Sequence, residues 1–270
     1  MAKNKLKLYG FNNLTKTLSF NIYDICYTRT DEERKAYVEY IDEQYNAERL
    51  TNILVDVTHM IGASVLNIAK QDYDPQGASV TLLISEGMVD DCLLDPSCNR
   101  GIIRPTKEDV VAHLDKSHVT VHTYPEAHPS NEISTFRADI DVSTCGEISP
   151  IKALNFLINS FDSDVITIDY RVRGFTRDLD GTKHFIDHQI NTIQDFIDSK
   201  IRKKYLTYDI NLHHNNIFHT KMMLDTFNID NYLFNVTSND LKEEEIEIIK
   251  GRINKEMVEI YHGMNIPEMK

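Results

Sequence analysis

No stretch of the 270-residue sequence approaches the roughly 20 consecutive apolar residues that a helix needs to cross a bilayer, so a helical membrane protein is excluded and no membrane partner is expected. The basic start, MAKNKLKLYGFNN, lacks an apolar core and is not expected to be a secretory signal. None of the four cysteines, Cys26, Cys92, Cys98 and Cys145, forms a CxxC pair. They are read as the free thiols of a cytoplasmic protein, and Cys92 and Cys98, on either side of Pro96, as surface or half-buried thiols rather than a bridge. There is no internal repeat, low-complexity tract or long Gly/Ser/Pro linker, which favours one domain over residues 1–270. Basic residues are outnumbered: Lys and Arg total 29 against 42 Asp and Glu, a formal charge of −13. Such a field repels phosphate backbones, so no nucleic-acid partner is expected, while a cationic substrate or product is compatible with it. GxGxxG, Walker A, GxSxG and HExxH are all missing, and with them the common signatures of nucleotide loops, serine hydrolases and zinc proteases.

The composition is otherwise that of a globular chain, with 41% hydrophobic and 26% charged residues. At this length about three quarters of the unfolded surface can be buried without a disulfide or metal staple. Alternation or β-branched runs predict strands at Lys5–Gly10, Ser64–Ala69, Ala78–Ser85, Ser117–Tyr124, Phe136–Thr144, Asp164–Gly174, Lys204–Leu212 and Tyr232–Val236. Between Thr30 and Ile61, apolar residues recur at helical spacing with one break, behind a capped, acid-rich first turn. Ser149-Pro150 predicts a helix start, His184–Ile197 an amphipathic helix and Leu241–Tyr261 a charged terminal helix. Asp74-Pro75-Gln76-Gly77 reads as a turn and residues 86–112 as a surface connection. Several strands follow one another directly, which requires antiparallel pairing. The expected fold is α+β: a two-layer α/β sandwich with a mostly antiparallel sheet and helices packed on one face.

Three groups of residues could carry chemistry. His184 and His188, four apart on a predicted helix, have the spacing of a shared metal, but are read as two partly exposed helix histidines, so no metal site is expected. His213, His214 and His219 lack a nearby acidic or Cys ligand and read as a solvated loop. The third runs from His113 through Lys116, Ser117, His118 and His122 to Glu126, and resumes at Thr135–Gly146, ending on Cys145. Two adjacent antiparallel strands can bring Ser117, His122 five residues on and Cys145 together. By residue type alone this is a serine or thiol enzyme, or simply two half-buried strands.

The segment KSHVTVHTYPE followed by ADIDVSTCG resembles the self-processing S-adenosylmethionine decarboxylases of bacteria, and LYGFNNLTKTLSFNIYDICY, NIAKQDYDPQGASVTLLISE, ISPIKALNFLI, DYRVRGFTRD and KHFIDHQIN resemble the larger, enterobacterial-type branch of that family. The likeness runs from about Leu6 to about Met264. It implies an inactive precursor that cuts itself between Lys116 and Ser117, giving residues 1–116 and 117–270. Ser117 would attack the Lys116 carbonyl, the ester would be expelled by β-elimination, and loss of ammonia would leave a pyruvoyl group on residue 117. His122 is implied as proton acceptor in this processing. Perfect alternation would set Ser117 and His122 on opposite faces, so Ser117 is expected in a turn or bulge ahead of the strand.

The pyruvoyl carbonyl would form a Schiff base with the substrate amine and withdraw electrons as carbon dioxide leaves, with Cys145 as proton donor to the right carbon. The implied substrate is S-adenosyl-L-methionine, and its decarboxylated product the aminopropyl donor for spermidine synthesis. Glu126 is a candidate substrate contact, equally readable as a surface carboxylate; Tyr9, Phe11 and Tyr124 are aromatic candidates for the adenine and sulfonium. Magnesium as an activator and a homo-oligomer of cleaved pairs are further implications. Alternatives left open are a pyruvoyl-dependent decarboxylase of another amino acid, such as ornithine or arginine, and a non-catalytic homologue acting as a binding partner.

Overall fold

The computed structural model describes residues 11–86, 117–127, 132–161, 163–178 and 180–267. Strand β1 (Phe11–Asn12) leads into β2 (Thr15–Tyr27), whose burial alternates residue by residue from Thr15 to Tyr23. Helices α1 (Asp31–Gln44) and α2 (Ala47–Ile61) follow. The break expected between them is real. Thr30 caps α1 by accepting from the Glu33 N–H, Asn46 caps α2 by accepting from the Arg49 N–H, and α2 ends on Gly62 at φ +86°. β3 (Ala63–Asp72) and β4 (Ala78–Glu86) form a hairpin over the expected turn, and β5 (His118–Ala127) pairs with β6 (Ile133–Cys145). A 3-10 turn at Pro150–Ala153 opens α3 (Leu154–Ser160), and Ser149 precedes it without a side-chain cap bond. β7 (Val165–Arg173), the two-residue strands β8 (Thr176–Arg177) and β9 (Lys183–His184), the short α4 (Ser199–Arg202), β10 (Tyr205–Leu212), β11 (Ile217–Leu224) and α5 (Glu243–His262) complete the order.

Eight strands make one sheet in the order β10-β11-β7-β2-β6-β5-β4-β3, with antiparallel neighbours throughout, while β1, β8 and β9 form a small second sheet. The period-2 patterns dictate which face is dry. Leu18, Phe20 and Ile22 of β2, Ala138, Ile140 and Val142 of β6, and Ile166, Ile168 and Tyr170 of β7 join α2 (Leu50, Leu54, Val57) and α3 (Leu154, Leu157, Ile158) in one continuous core. The α+β sandwich expected from the sequence is therefore present. Its terminal helix departs from the one-face arrangement. Ile249, Ile253 and Met257, one face of α5 at four-residue spacing, pack with Tyr23, Ile25 and Tyr27 of β2 and Val165 of β7, the alternate residues that point away from the main core. α5 thus covers one end of the opposite face. At the β10 edge of that face, Leu206, Tyr208, Ile210 and Leu212 are all exposed.

Three local expectations are corrected. The segment His184–Ile197 is not an amphipathic helix; after β9 it runs through bends to a 3-10 turn at Ile193–Phe196. Ile190, Ile193 and Ile197 are buried as the pattern required, but Phe185 is exposed. Asp187 bonds Lys16, and Thr192 donates to Asp209, so long-range side-chain bonds outbid weak helix formers. Tyr232–Val236 makes only an isolated parallel bridge, Leu233 to Tyr27, because β2 already has partners on both sides along most of its length. The histidine-rich stretch is not a solvated loop throughout. His213–Asn215 form a 3-10 turn, and His219 lies in β11, a strand that went unforeseen although Phe218, Thr220 and Met222 alternate as its buried face. The strand expected at Lys5–Gly10 and the connection at 86–112, with Cys92 and Cys98, fall outside the described residues apart from Glu86, which ends β4.

Candidate active site

Ser117 stands immediately before β5 and is 2% exposed. Its carbonyl accepts from the Ile84 N–H at 3.3 Å, which holds the residue against β4 although it lies outside the strand. Cys145 is the last residue of β6, opposite Thr15 of β2. These two chain positions bring the Ser117 hydroxyl to 3.2 Å from the Cys145 sulfur. Along β5, Val119 and Val121 are fully buried while His118, Thr120 and His122 are part-exposed. Ser117, buried like Val119 and Val121, keeps the phase of this alternation and stands just ahead of the strand rather than in it.

The turn after Cys145 is pinned from several directions. Gly146 adopts φ +68°, the left-handed region in which a side chain is strained, and its N–H donates to the Leu14 carbonyl at 3.2 Å. The Thr144 hydroxyl donates to the Ile148 carbonyl at 3.2 Å. The Lys16 ammonium donates to the Gly146 carbonyl at 2.9 Å.

Two polar atoms beside Ser117 are buried without a hydrogen-bond partner among the described residues: His118 Nδ1 and Ser85 Oγ. His118 faces Leu83 and Ser143 across its two neighbours, and Ser85 continues the same row of β4 toward residue 117. Sequence reasoning passed over both. For His118 the signal was its adjacency to Ser117; for Ser85 it was the one hydroxyl in an otherwise apolar strand end, LLIS. Unpaired buried polar groups are costly, so they offer hydrogen-bonding capacity to a carbonyl-bearing group at residue 117.

The remaining candidates lie elsewhere. His122 sits mid-strand between Ser79 and Asp139, five residues beyond Ser117, or about 16 Å along an extended chain. The structure does not bring its imidazole to the Ser117 hydroxyl within one chain. Glu126 is exposed at the far end of β5 opposite Thr135, still more distant. Tyr124 is exposed with the Arg137 guanidinium 4.7 Å over its ring. Tyr9, the side chain of Phe11 and Lys116 lie outside the described residues.

His184 and His188 share no metal geometry: His184 pairs with Asp178 at 2.7 Å and His188 with Asp187 at 2.6 Å. His219 pairs with Asp169 at 2.8 Å. Among the described residues, no group of three or more His, Cys, Asp or Glu side chains could hold a metal ion, and no helix is long and apolar enough to cross a membrane.

A hydroxyl and a thiol meeting on adjacent strand ends, next to a chain position from which residue 116 departs, can be compared with known proteins. A sequence model described as S-adenosylmethionine decarboxylase matches residues 36–174. The chain is 64% identical over 266 residues to the S-adenosylmethionine decarboxylase proenzyme of Clostridium botulinum (strain Alaska E43 / Type E3), covering 98% of both. The chain belongs to the S-adenosylmethionine decarboxylase family. It is also 61% identical to the proenzyme of Halorhodospira halophila (strain DSM 244 / SL1), over 97% of this chain and 96% of that one. Among solved structures, the adenosylmethionine decarboxylase of Aquifex aeolicus VF5 aligns at 15% identity, over 67% of this chain and all of that chain, with a TM-score of 0.29.

Proposed function

We propose that this protein is a self-cleaving, pyruvoyl-dependent S-adenosyl-L-methionine decarboxylase, made as one domain over residues 1–270 and cut between Lys116 and Ser117 into chains 1–116 and 117–270. The observation that carries the reading is the buried Ser117 hydroxyl 3.2 Å from the Cys145 thiol, in a chain that shares 64% of its residues with a proenzyme of this name. The surroundings of residue 117 fit the implied group: the position is dry, a thiol is in reach, and two buried polar atoms stand unpaired beside it among the described residues. A pyruvoyl group there would supply an electron sink for loss of carbon dioxide from an amine-bearing substrate.

The chain's own residues do the rest. Ser117 provides the hydroxyl for the cut, since its oxygen closes a five-membered ring onto the carbonyl carbon of the preceding Lys116 and needs only orientation and a base. Cys145 holds the proton that goes to the substrate carbon after carbon dioxide has left. A neutral thiol in a half-buried site donates without carrying charge into it. His122 is assigned as proton acceptor in the cut by family resemblance. At about 16 Å along β5 it does not act from its own extended strand, so the assignment goes with the proposed homo-oligomer, in which a second chain supplies the imidazole. Mixing Ser117→Ala chains with His122→Ala chains tests this: cutting of the His122→Ala chain only in the mixture supports it, and no cutting in an assembled mixture defeats it.

The acidic chain, at −13, suits a sulfonium-bearing substrate. Glu126, farther along β5 than His122, is assigned to substrate contact across the same proposed assembly, tested by whether Glu126→Gln raises KM; ornithine and arginine are the competing substrates. Stimulation by magnesium, read as the rate with the ion against the rate with a chelator, and a cytoplasmic location, read by fractionation, complete the proposal.

The deciding experiment is intact mass spectrometry after cyanoborohydride treatment with S-adenosylmethionine. It should give two chains of about 13 and 18 kDa, in proportion to the cut, with a substrate adduct on the larger. A single uncut chain that still releases carbon dioxide would overturn the reading.

A further inference from the structure

Lys16 is the fully buried charged residue of β2, in a row whose other charged member, Asp24, is only part-buried. Its neighbours in that row, Leu14, Leu18, Phe20 and Ile22, are apolar and buried, and Lys16 is itself 0% exposed. An apolar residue of similar volume would fill the position without the desolvation of an ammonium, so packing does not call for a lysine here. Its hydrogen bonds do. The ammonium donates to the Gly146 carbonyl at 2.9 Å and to Asp187 Oδ2 at 2.5 Å. The other Asp187 oxygen lies 2.6 Å from His188 Nδ1, and His188 Nε2 lies 3.4 Å from the buried Tyr170 hydroxyl on β7. A continuous polar chain therefore runs from the turn holding Cys145, through the core, to a strand two places away in the sheet. It takes up His188, which the sequence had offered only as a helix histidine. Burial alone would raise the Asp187 pKa, but bonds from His188 and Lys16 and their charges outweigh it and hold the carboxyl down at about 2, so the chain is ionised where it meets Lys16.

We propose that Lys16 and Asp187 are positioning residues for Cys145: by gripping the carbonyl of Gly146 they keep the thiol in line with residue 117. The proposal rests on Cys145 being the proton donor. If the thiol drifts, the proton goes to the wrong carbon. The substrate nitrogen then stays on residue 117, which becomes alanine, and the decarboxylated skeleton leaves as an aldehyde whose oxygen comes from water.

The test uses the cleaved enzyme with Lys16→Met and, retaining the lysine, Asp187→Asn, beside Cys145→Ala as reference. The readouts are kcat, KM, and the fraction of the 117–270 chain that ends in alanine after a fixed number of turnovers, by intact mass. A further readout needs no turnover: the rate at which iodoacetamide alkylates Cys145 in the uncut Ser117→Ala background. A displacement near 1 Å predicts a fall in kcat on the order of 10- to 100-fold with KM little changed. The alanine-ended fraction rises several-fold, and alkylation of Cys145 quickens. Should Lys16→Met not accumulate as folded protein, Asp187→Asn carries the same readouts. If Cys145→Ala leaves both kcat and the alanine fraction at parent values, the assignment of Cys145 has failed. If Cys145→Ala changes them while the folded Lys16 and Asp187 variants match the parent in all readouts, the positioning proposal is overturned.

Discussion

Asp187→Asn should weaken the protein in a way that depends on pH, and the dependence can be worked from the structure. The Asp187 carboxyl sits at about 2 in the folded protein against an ordinary 3.8. A depressed acid pKa stabilises the fold fully above the ordinary value and loses that contribution as pH falls through the folded one. The shift of nearly two units corresponds to about 2 kcal/mol, present at pH 7 and fading between roughly pH 4 and pH 2. Breaking a buried pair costs about 3–5 kcal/mol in all, so beside this pH-dependent part the substitution carries a remainder from burying Lys16 without its anion. The two parts separate by measurement. Urea unfolding of the uncut Ser117→Ala protein, with and without Asp187→Asn, keeps the reaction within one chain from pH 7 down to pH 3. The gap between the two proteins should be widest at neutral pH and begin to close below pH 4. A gap of constant width over that range would refute the ionised state assigned to Asp187.

Other predictions are simpler. Ser117→Ala should stop the cut and leave a single band near 31.2 kDa on a denaturing gel, with the melting temperature of the uncut fold unchanged within a few degrees. Gly146→Ala, forced into a left-handed backbone beside Cys145, should cost about 1 kcal/mol in urea unfolding and lower kcat more than it raises KM. Ile253→Ala opens the α5 face of the sheet and should cost about 2–5 kcal/mol without altering Cys145 alkylation, since that helix packs on Tyr23, Ile25 and Val165 rather than on the Cys145 turn. Thr30→Ala removes the α1 cap and should cost about 1 kcal/mol.

How far the sequence spoke depended on whether a residue's fate was decided locally. β5 and β6 announce themselves by alternation, because each has one wet and one dry face, and β4 by its β-branched, apolar run; β2 was not among the strands expected, although its residues alternate in the same way from Thr15 to Tyr23. The break between α1 and α2 was legible from the apolar spacing and confirmed by the Asn46 cap. The segment after β9 was misread because its apolar residues are buried at nearly helical spacing while its backbone obeys Lys16, Asp209 and Asn211, partners 17 to 171 positions away. The meeting of Ser117 and Cys145 could be anticipated from two consecutive strands. The row of β2 that carries Lys16 could not be tied to Gly146 without the register that sets Lys16 opposite Thr144. The distance between His122 and Ser117 was, by contrast, already contained in five residues of extended chain.

The strand order has a consequence for what a break ahead of Ser117 would leave behind. β2, β3 and β4 precede that point and all other strands of the large sheet follow it. β2 is stitched between β6 and β7 along both flanks, and β4 is stitched to β5. The two products would be interleaved like the fingers of clasped hands: parting them means tearing three seams of the large sheet and the short β1–β8 seam, and opening the core. Scission would change the covalent count of the molecule while leaving its native particle whole, and the smaller piece, stripped of β6 and β7, would have no sheet to return to.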